Sequence, residues 1–139
     1  MPSPEVARPG DPLPAAPGSY VVVFASRGGA VAAGRRRLEV PPGLVLYVGS
    51  ARGPGGLRAR LGRHLEGRGR PRWHVDRLRG FCRPREAWYL VGSAVEHEWA
   101  DRLAGIGRVV PGFGASDCRC PGHLFACDRL PEPERFAVP

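Results

Sequence analysis

No lysine occurs in the chain; all 21 basic residues are arginine. Base composition of the gene can produce that bias as readily as selection for guanidinium chemistry, so the positions of the arginines carry more information than their identity. Long apolar runs are also missing. None approaches the roughly 20 residues that span a bilayer, and residues 1–18 lack the basic start and apolar stretch of a signal peptide. The expectation is a cytoplasmic protein with no membrane partner. Cysteine is scarce: there are four, three of them between Cys118 and Cys127, a poor match to a secreted disulfide framework. The glycine-rich stretch at Gly53–Gly56 lacks the lysine and hydroxyl of a triphosphate-binding loop, and no serine sits in a Gly-x-Ser-x-Gly elbow. Nucleoside-triphosphate hydrolysis and serine-hydrolase chemistry are thereby disfavoured.

What is present suits one globular domain. A chain of 139 residues, 42% hydrophobic and 24% charged, can bury well over half of its unfolded surface around a single core. Its net charge of +8 is local: Arg52 to Arg85 holds 11 arginines against Glu66 and Asp76, while the remainder sums to about zero. Such a segment fits a polyanion, because each arginine near a phosphate releases counterions and can form a forked hydrogen-bond pair. A solvated arginine-rich surface is the alternative.

Residues 1–17 read as a proline-rich flexible arm, 18–128 as the folded domain, and 129–139 as a tail again rich in proline and acid. Ser19–Ala25 is β-branched and aromatic and predicts a buried strand, with Gly28 and Gly29 turning the chain. Arg37–Val40 predicts a weaker strand that Pro41–Gly43 breaks, and Leu44–Val48 resumes it. Leu57, Leu61, His64 and Leu65 share one face of a helix ending near Gly67. A short helix over Trp73–Arg79 and a strand over Glu86–Val91 follow. Ser93 and Glu96 match a capping box opening a further helix, whose buried stripe is Val95, Trp99, Leu103 and Ile106. No internal repeat is present.

Two tyrosines on separate strands stand out, Tyr20 in Gly18-Ser19-Tyr20 and Tyr47 in Tyr47-Val48-Gly49. Each alone reads as core. Followed by Arg60, with His64 one helical turn later, they form a constellation that resembles the GIY-YIG nuclease family over roughly Gly18 to Gly107. The strings Trp73-His74-Val75-Asp76 and Pro111-Gly112-Phe113-Gly114-Ala115-Ser116-Asp117-Cys118-Arg119-Cys120 look like a small, uncharacterised stand-alone branch of it. The resemblance implies an α+β fold, a small central antiparallel sheet of about three strands flanked by helices. It also implies a divalent-metal-dependent endonuclease that hydrolyses phosphodiester bonds in DNA, with RNA as the other candidate partner. Tyr20, Tyr47, Arg60 and His64 become the catalytic set, one Mg2+ or Mn2+ ion the cofactor, and a helix carboxylate its ligand. Either phenol could orient or deprotonate the attacking water, helped by Arg60. The sequence departs from the family where a lysine commonly stands three residues after the second tyrosine; here that residue is Ser50, with Arg52 the nearby substitute cation.

Glu96 is preferred over Glu98 as metal ligand, because helical geometry puts it about 60° from the centre of the buried stripe against about 100° for Glu98. Capping is its alternative role. Arg52, Arg58, Arg63, Arg68 and His74 are the candidate nucleic-acid contacts, although a histidine on a short helix is more often structural. Cys118, Cys120, His123 and Cys127 leave three readings open: structural Zn2+, a buried thiol cluster, or thiol chemistry. The rivals to the nuclease are a non-catalytic nucleic-acid-binding module on the same fold and a zinc-stabilised protein-interaction domain.

Overall fold

A computed structural model of the chain describes residues 2–67, 74–113 and 122–138. Its strands are β1 (Glu5–Ala7), β2 (Gly18–Ala33), β3 (Arg36–Ala51), β4 (Cys82–Val91), β5 (Arg108–Val109) and β6 (Leu124–Cys127). Its α-helices are α1 (Gly56–Glu66) and α2 (Glu96–Ile106), with short 3-10 turns at His74–Gly80 and Pro133–Phe136. The strands form one antiparallel sheet in the order β1-β4-β2-β3-β6-β5.

This corrects the expected fold class. The sheet is six-stranded and dominates the molecule, where a small sheet of about three strands flanked by helices was expected. The three long strands β4, β2 and β3 are the ones that periodicity reveals. Left alone they would expose backbone donors and acceptors along β4 and β3, and the fold covers both edges with chain from the two ends. β1 pairs with β4, and β6 pairs with β3. Strands of two to four residues, as β1, β5 and β6 are, carry too few positions for alternation to show.

The β2–β3 hairpin is also longer than expected. Both strands run 16 residues, and the chain reverses at Gly34-Arg35, between the paired Ala33 and Arg36, rather than at Gly28 and Gly29. Gly34 takes φ 64°, the left-handed conformation that a two-residue hairpin loop requires. Pro41 and Pro42 do not interrupt β3, because β6 pairs only with Leu44–Tyr47 and leaves the outer side of the proline stretch without a strand partner.

The proline-rich arm is docked. Besides β1, its carbonyls at Ala16 and Pro14 accept from the amides of Leu57 and Arg58, both at 2.9 Å, and so satisfy two donors at the open start of α1. The tail docks as well: Phe136 is fully buried, and its carbonyl accepts from the Trp99 indole at 3.1 Å.

Alternation along β2 and β3 splits the core. Tyr20, Val22, Phe24, Val45 and Tyr47 face α1 through Leu57, Leu61 and Leu65, with Val75 and Leu78 of the first 3-10 turn beside them. Val21, Val23, Leu46 and Val48 face α2 through Trp99, Ala100 and Leu103, with Trp88, Phe125 and Phe136. The α1 stripe is buried as predicted, but on α2 Ile106 is 38% exposed. No described helix is long and apolar enough to cross a membrane.

Candidate active site

Gly18 to Tyr20 and Tyr47 to Gly49 lie on adjacent strands, with Tyr20 opposite Gly49. That pairing explains Gly49, because a Cβ there would sit 2.6 Å from the Tyr20 ring carbon Cζ and from its hydroxyl. Only a residue without a side chain lets the phenol lie across the strand. The two tyrosine ring centroids are 6.5 Å apart, and His64, delivered by the third turn of α1, stands 5.7 Å from Tyr20 and 6.0 Å from Tyr47. The Tyr20 hydroxyl and His64 Nε2 are 3.1 Å apart. Arg60, one turn earlier on the helix and partly exposed, hydrogen-bonds the Tyr20 side chain and acts electrostatically on both phenols. Tyr20, Tyr47, Arg60 and His64 are thus brought together from three elements.

Burial sets the proton affinities. It pushes the Tyr20 phenol well above its ordinary value, as does Tyr47, with Arg60 opposing. Tyr47 is pushed up to about 12 by burial, against the pull of Arg60. His64 is lowered, chiefly by burial and further by Arg60 and Arg63, with Asp76 opposing. At neutral pH both phenols keep their protons and the imidazole is neutral.

Asp76 was not among the expected site residues, yet it is 2% exposed and lies behind His64, with Oδ1 3.3 Å from Nδ1. Arg63 and Arg79 each approach its carboxylate at 3.6 Å. In the sequence it stood out only as the end of the string Trp73-His74-Val75-Asp76 and as one of two acids in a segment of 11 arginines. Arg63, expected to face nucleic acid, turns its charge inward to this carboxylate.

Glu96 begins α2 and is half-buried. The capping box does not form: Val95 occupies the cap position with no side-chain cap, and the Val95 amide donates to Ser19 Oγ of β2 at 3.1 Å. Ser19 Oγ in turn donates to the Ser93 carbonyl at 2.7 Å. Freed from capping, the Glu96 carboxylate meets His123 Nδ1 at 2.9 Å and hydrogen-bonds Ser50. Burial alone would raise its pKa, but these two hydrogen bonds and the nearby histidines bring it below the usual glutamate value. Its charge is felt at both tyrosines. Glu98 is exposed. Ser50, noted only for the missing lysine, thus holds the carboxylate.

The remaining expected residues are dispersed. Arg52 and Arg58 are exposed, the latter donating through Nε to the Leu13 carbonyl at 3.0 Å. Arg68, Cys118, Cys120 and the His74 side chain lie outside the described residues. Cys127 and His123 are both buried, and among the described residues no group of three or more His, Cys, Asp or Glu could hold a metal ion. His123 also has Nδ1 committed to Glu96 and, at 3.2 Å, near the Val48 carbonyl.

Compared with known proteins, the chain matches the model of a domain of unknown function, DUF123, over residues 19–138. No curated protein and no solved structure matches it. The matched span takes in every strand from β2 to β6, both helices and all the site residues just described, so the chain belongs to the DUF123 family.

Proposed function

We propose that this chain is a GIY-YIG-type endonuclease that hydrolyses phosphodiester bonds in DNA. The observation that carries the reading is convergence: Arg60 and His64 of α1 meet Tyr20 and Tyr47 of two strands, with the Tyr20 hydroxyl 3.1 Å from His64 Nε2 and the three rings within 6.5 Å of one another. A purely structural pair of strand tyrosines needs neither partner. Two phenols and an imidazole buried together cost stability through desolvation, which favours a chemical role.

The roles follow from protonation. Arg60 stabilises charge that develops on phosphoryl oxygens. Tyr47, with its pKa near 12, keeps its proton and donates a hydrogen bond to a phosphoryl oxygen or orients the attacking water. Glu96 fits a hard divalent ion: it is anionic at neutral pH, held in place by His123 and Ser50, and Mg2+ asks for one or two carboxylates with the rest of its shell from water and phosphate oxygens. When bound, such an ion would supply charge neutralisation at the phosphate and acidify a coordinated water.

The test is a cleavage assay on linear, branched and single-stranded DNA and RNA, with magnesium or manganese against chelator. Metal-dependent cleavage that Tyr47→Phe removes without loss of binding supports the reading. Tight binding of nucleic acid with no cleavage of any substrate overturns it in favour of the non-catalytic module.

A further inference from the structure

We infer that Asp76 is a positioning residue for the proposed hydrolysis, fixing the tautomer of His64 so that its bare Nε2 takes the proton of Tyr20. The inference rests on the hydrolytic reading of the tyrosine site for its chemical half and on geometry alone for its positional half.

The geometry has one consistent assignment of protons. A carboxylate accepts and does not donate. With Asp76 Oδ1 3.3 Å from Nδ1, that nitrogen carries the hydrogen, and Nε2 presents a lone pair at 3.1 Å to the Tyr20 hydroxyl. At 3.3 Å the Nδ1 contact is an ion-pair approach, longer than the usual hydrogen bond. Arg63 and Arg79, each 3.6 Å from the carboxylate, keep Asp76 facing inward. Among the described residues, the groups around His64 include Tyr20 and Tyr47 from the sheet, Arg60 and Arg63 from its own helix, and Asp76 from the 3-10 turn; Glu96 acts on the tyrosines from α2.

Magnitudes then decide which group is the base. With a pKa near 12, Tyr47 is ionised in only about one molecule in 10^5 at pH 7, and Tyr20 is shifted in the same direction. His64 is already neutral and needs no prior deprotonation. Concerted transfer avoids a free phenolate: the Tyr20 O–H bond breaks toward Nε2 while a proton of the attacking water passes to the phenolic oxygen. The water oxygen forms the new P–O bond, and the P–O bond to the leaving oxygen breaks with its electron pair. That oxygen takes a proton from a second water, and the hydroxide so produced is neutralised by the proton held on His64. One water is consumed per phosphodiester, and Tyr20 and His64 return to their starting states. Asp76 contributes as the imidazolium forms, placing a negative charge behind Nδ1 when Nε2 becomes protonated.

The test uses the full chain and has two readouts. Nitrogen NMR of the His64 ring reports the tautomer without any need for turnover; a protonated Nδ1 and bare Nε2 in the unaltered protein are expected. Asp76→Asn should mix the tautomers and lower the cleavage rate by about 10²–10⁴-fold at unchanged KM, since an amide can orient either ring nitrogen. Asp76→Glu should restore the tautomer and part of the rate. A protonated Nε2 in the unaltered protein overturns the inference whether or not any variant folds. So does an unchanged tautomer in folded Asp76→Asn, which would make Asp76 only the anchor of Arg63 and Arg79. The expected tautomers with no cleavage in any variant keep the positional assignment and overturn the hydrolytic half.

Discussion

The two faces of the sheet are built from the same strands and differ in kind. On the α2 side Val21, Val23, Leu46 and Val48 meet Trp88, Trp99, Leu103, Phe125 and Phe136, and the two indole N–H groups are satisfied within a short reach, by Glu86 at 2.7 Å and by the Phe136 carbonyl at 3.1 Å. On the α1 side, the positions one residue away hold two phenols, an imidazole and a carboxylate inside the core. Burying such groups costs several kcal/mol unless each finds partners, and even then stabilises less than hydrocarbon of the same volume. Both faces carry a hydrocarbon core, and only the α1 side sets a phenol–imidazole–carboxylate group within it.

The largest effect should come from the apolar face. Trp99→Ala removes a fully buried indole and should destabilise the fold by about 3–5 kcal/mol, measured by urea unfolding. A loss as small as that of a surface substitution would break the comparison. Next, at the start of α2, Glu96→Gln keeps an acceptor for His123 but loses the charge, and should cut cleavage at least about 100-fold while changing stability by no more than about 1 kcal/mol. The variant should also lose an acid limb. Because the folded pKa of Glu96 lies below its unfolded value near 4.5, its contribution is present above that pH and disappears as pH falls through the folded value.

Alkali should act most strongly on the polar face, where burial raises both phenols. Tyr47 ionises near 10 when unfolded and near 12 when folded, so stability should be lost as pH rises through that interval, by about 3 kcal/mol from this residue. Tyr47→Phe should shrink the loss in denaturation curves, and an unchanged loss would assign it elsewhere. Gly49→Ala forces a methyl against Tyr20 and should cost about 1–3 kcal/mol, whereas Gly105→Ala in α2, with nothing within 4 Å, should stabilise by up to about 1 kcal/mol. Equal thermal shifts would dissolve the contrast. The smallest effect is Arg52→Ala, exposed and away from both cores, which should lower the salt slope of DNA binding by about one phosphate contact and leave stability unchanged.

Much of the polar face was legible because its chemistry is local in sequence. Arg60 and His64 are one helical turn apart, and helical period alone puts them on neighbouring positions of α1. The two tyrosines were paired by the resemblance of their motifs to a known family, and the structure places them on adjacent strands. Asp76 was not legible. It lies in a seven-residue 3-10 turn whose placement under α1 is set by packing of Val75 and Leu78, and no periodicity announces that. The partners of Glu96 were hidden for the same reason: Ser50, Glu96 and His123 come from three separate elements, while the apparent Ser93–Glu96 capping box was a local pattern overruled by Ser19.

The sequence by itself determined the central parts of the long strands and the amphipathic α1, since these depend on side-chain period within one element, while the group of tyrosines, arginine and histidine was legible only through its resemblance to a known family. Only the tertiary structure decided that the sheet has six strands, that both ends of the chain cover its edges, and that Asp76 and His123 stand behind His64 and Glu96. The physical reason is that strand pairing and buried ion contacts join groups tens of residues apart. Their energies depend on which surfaces the collapsed core leaves unsatisfied, a property of the packed chain that no window of sequence contains.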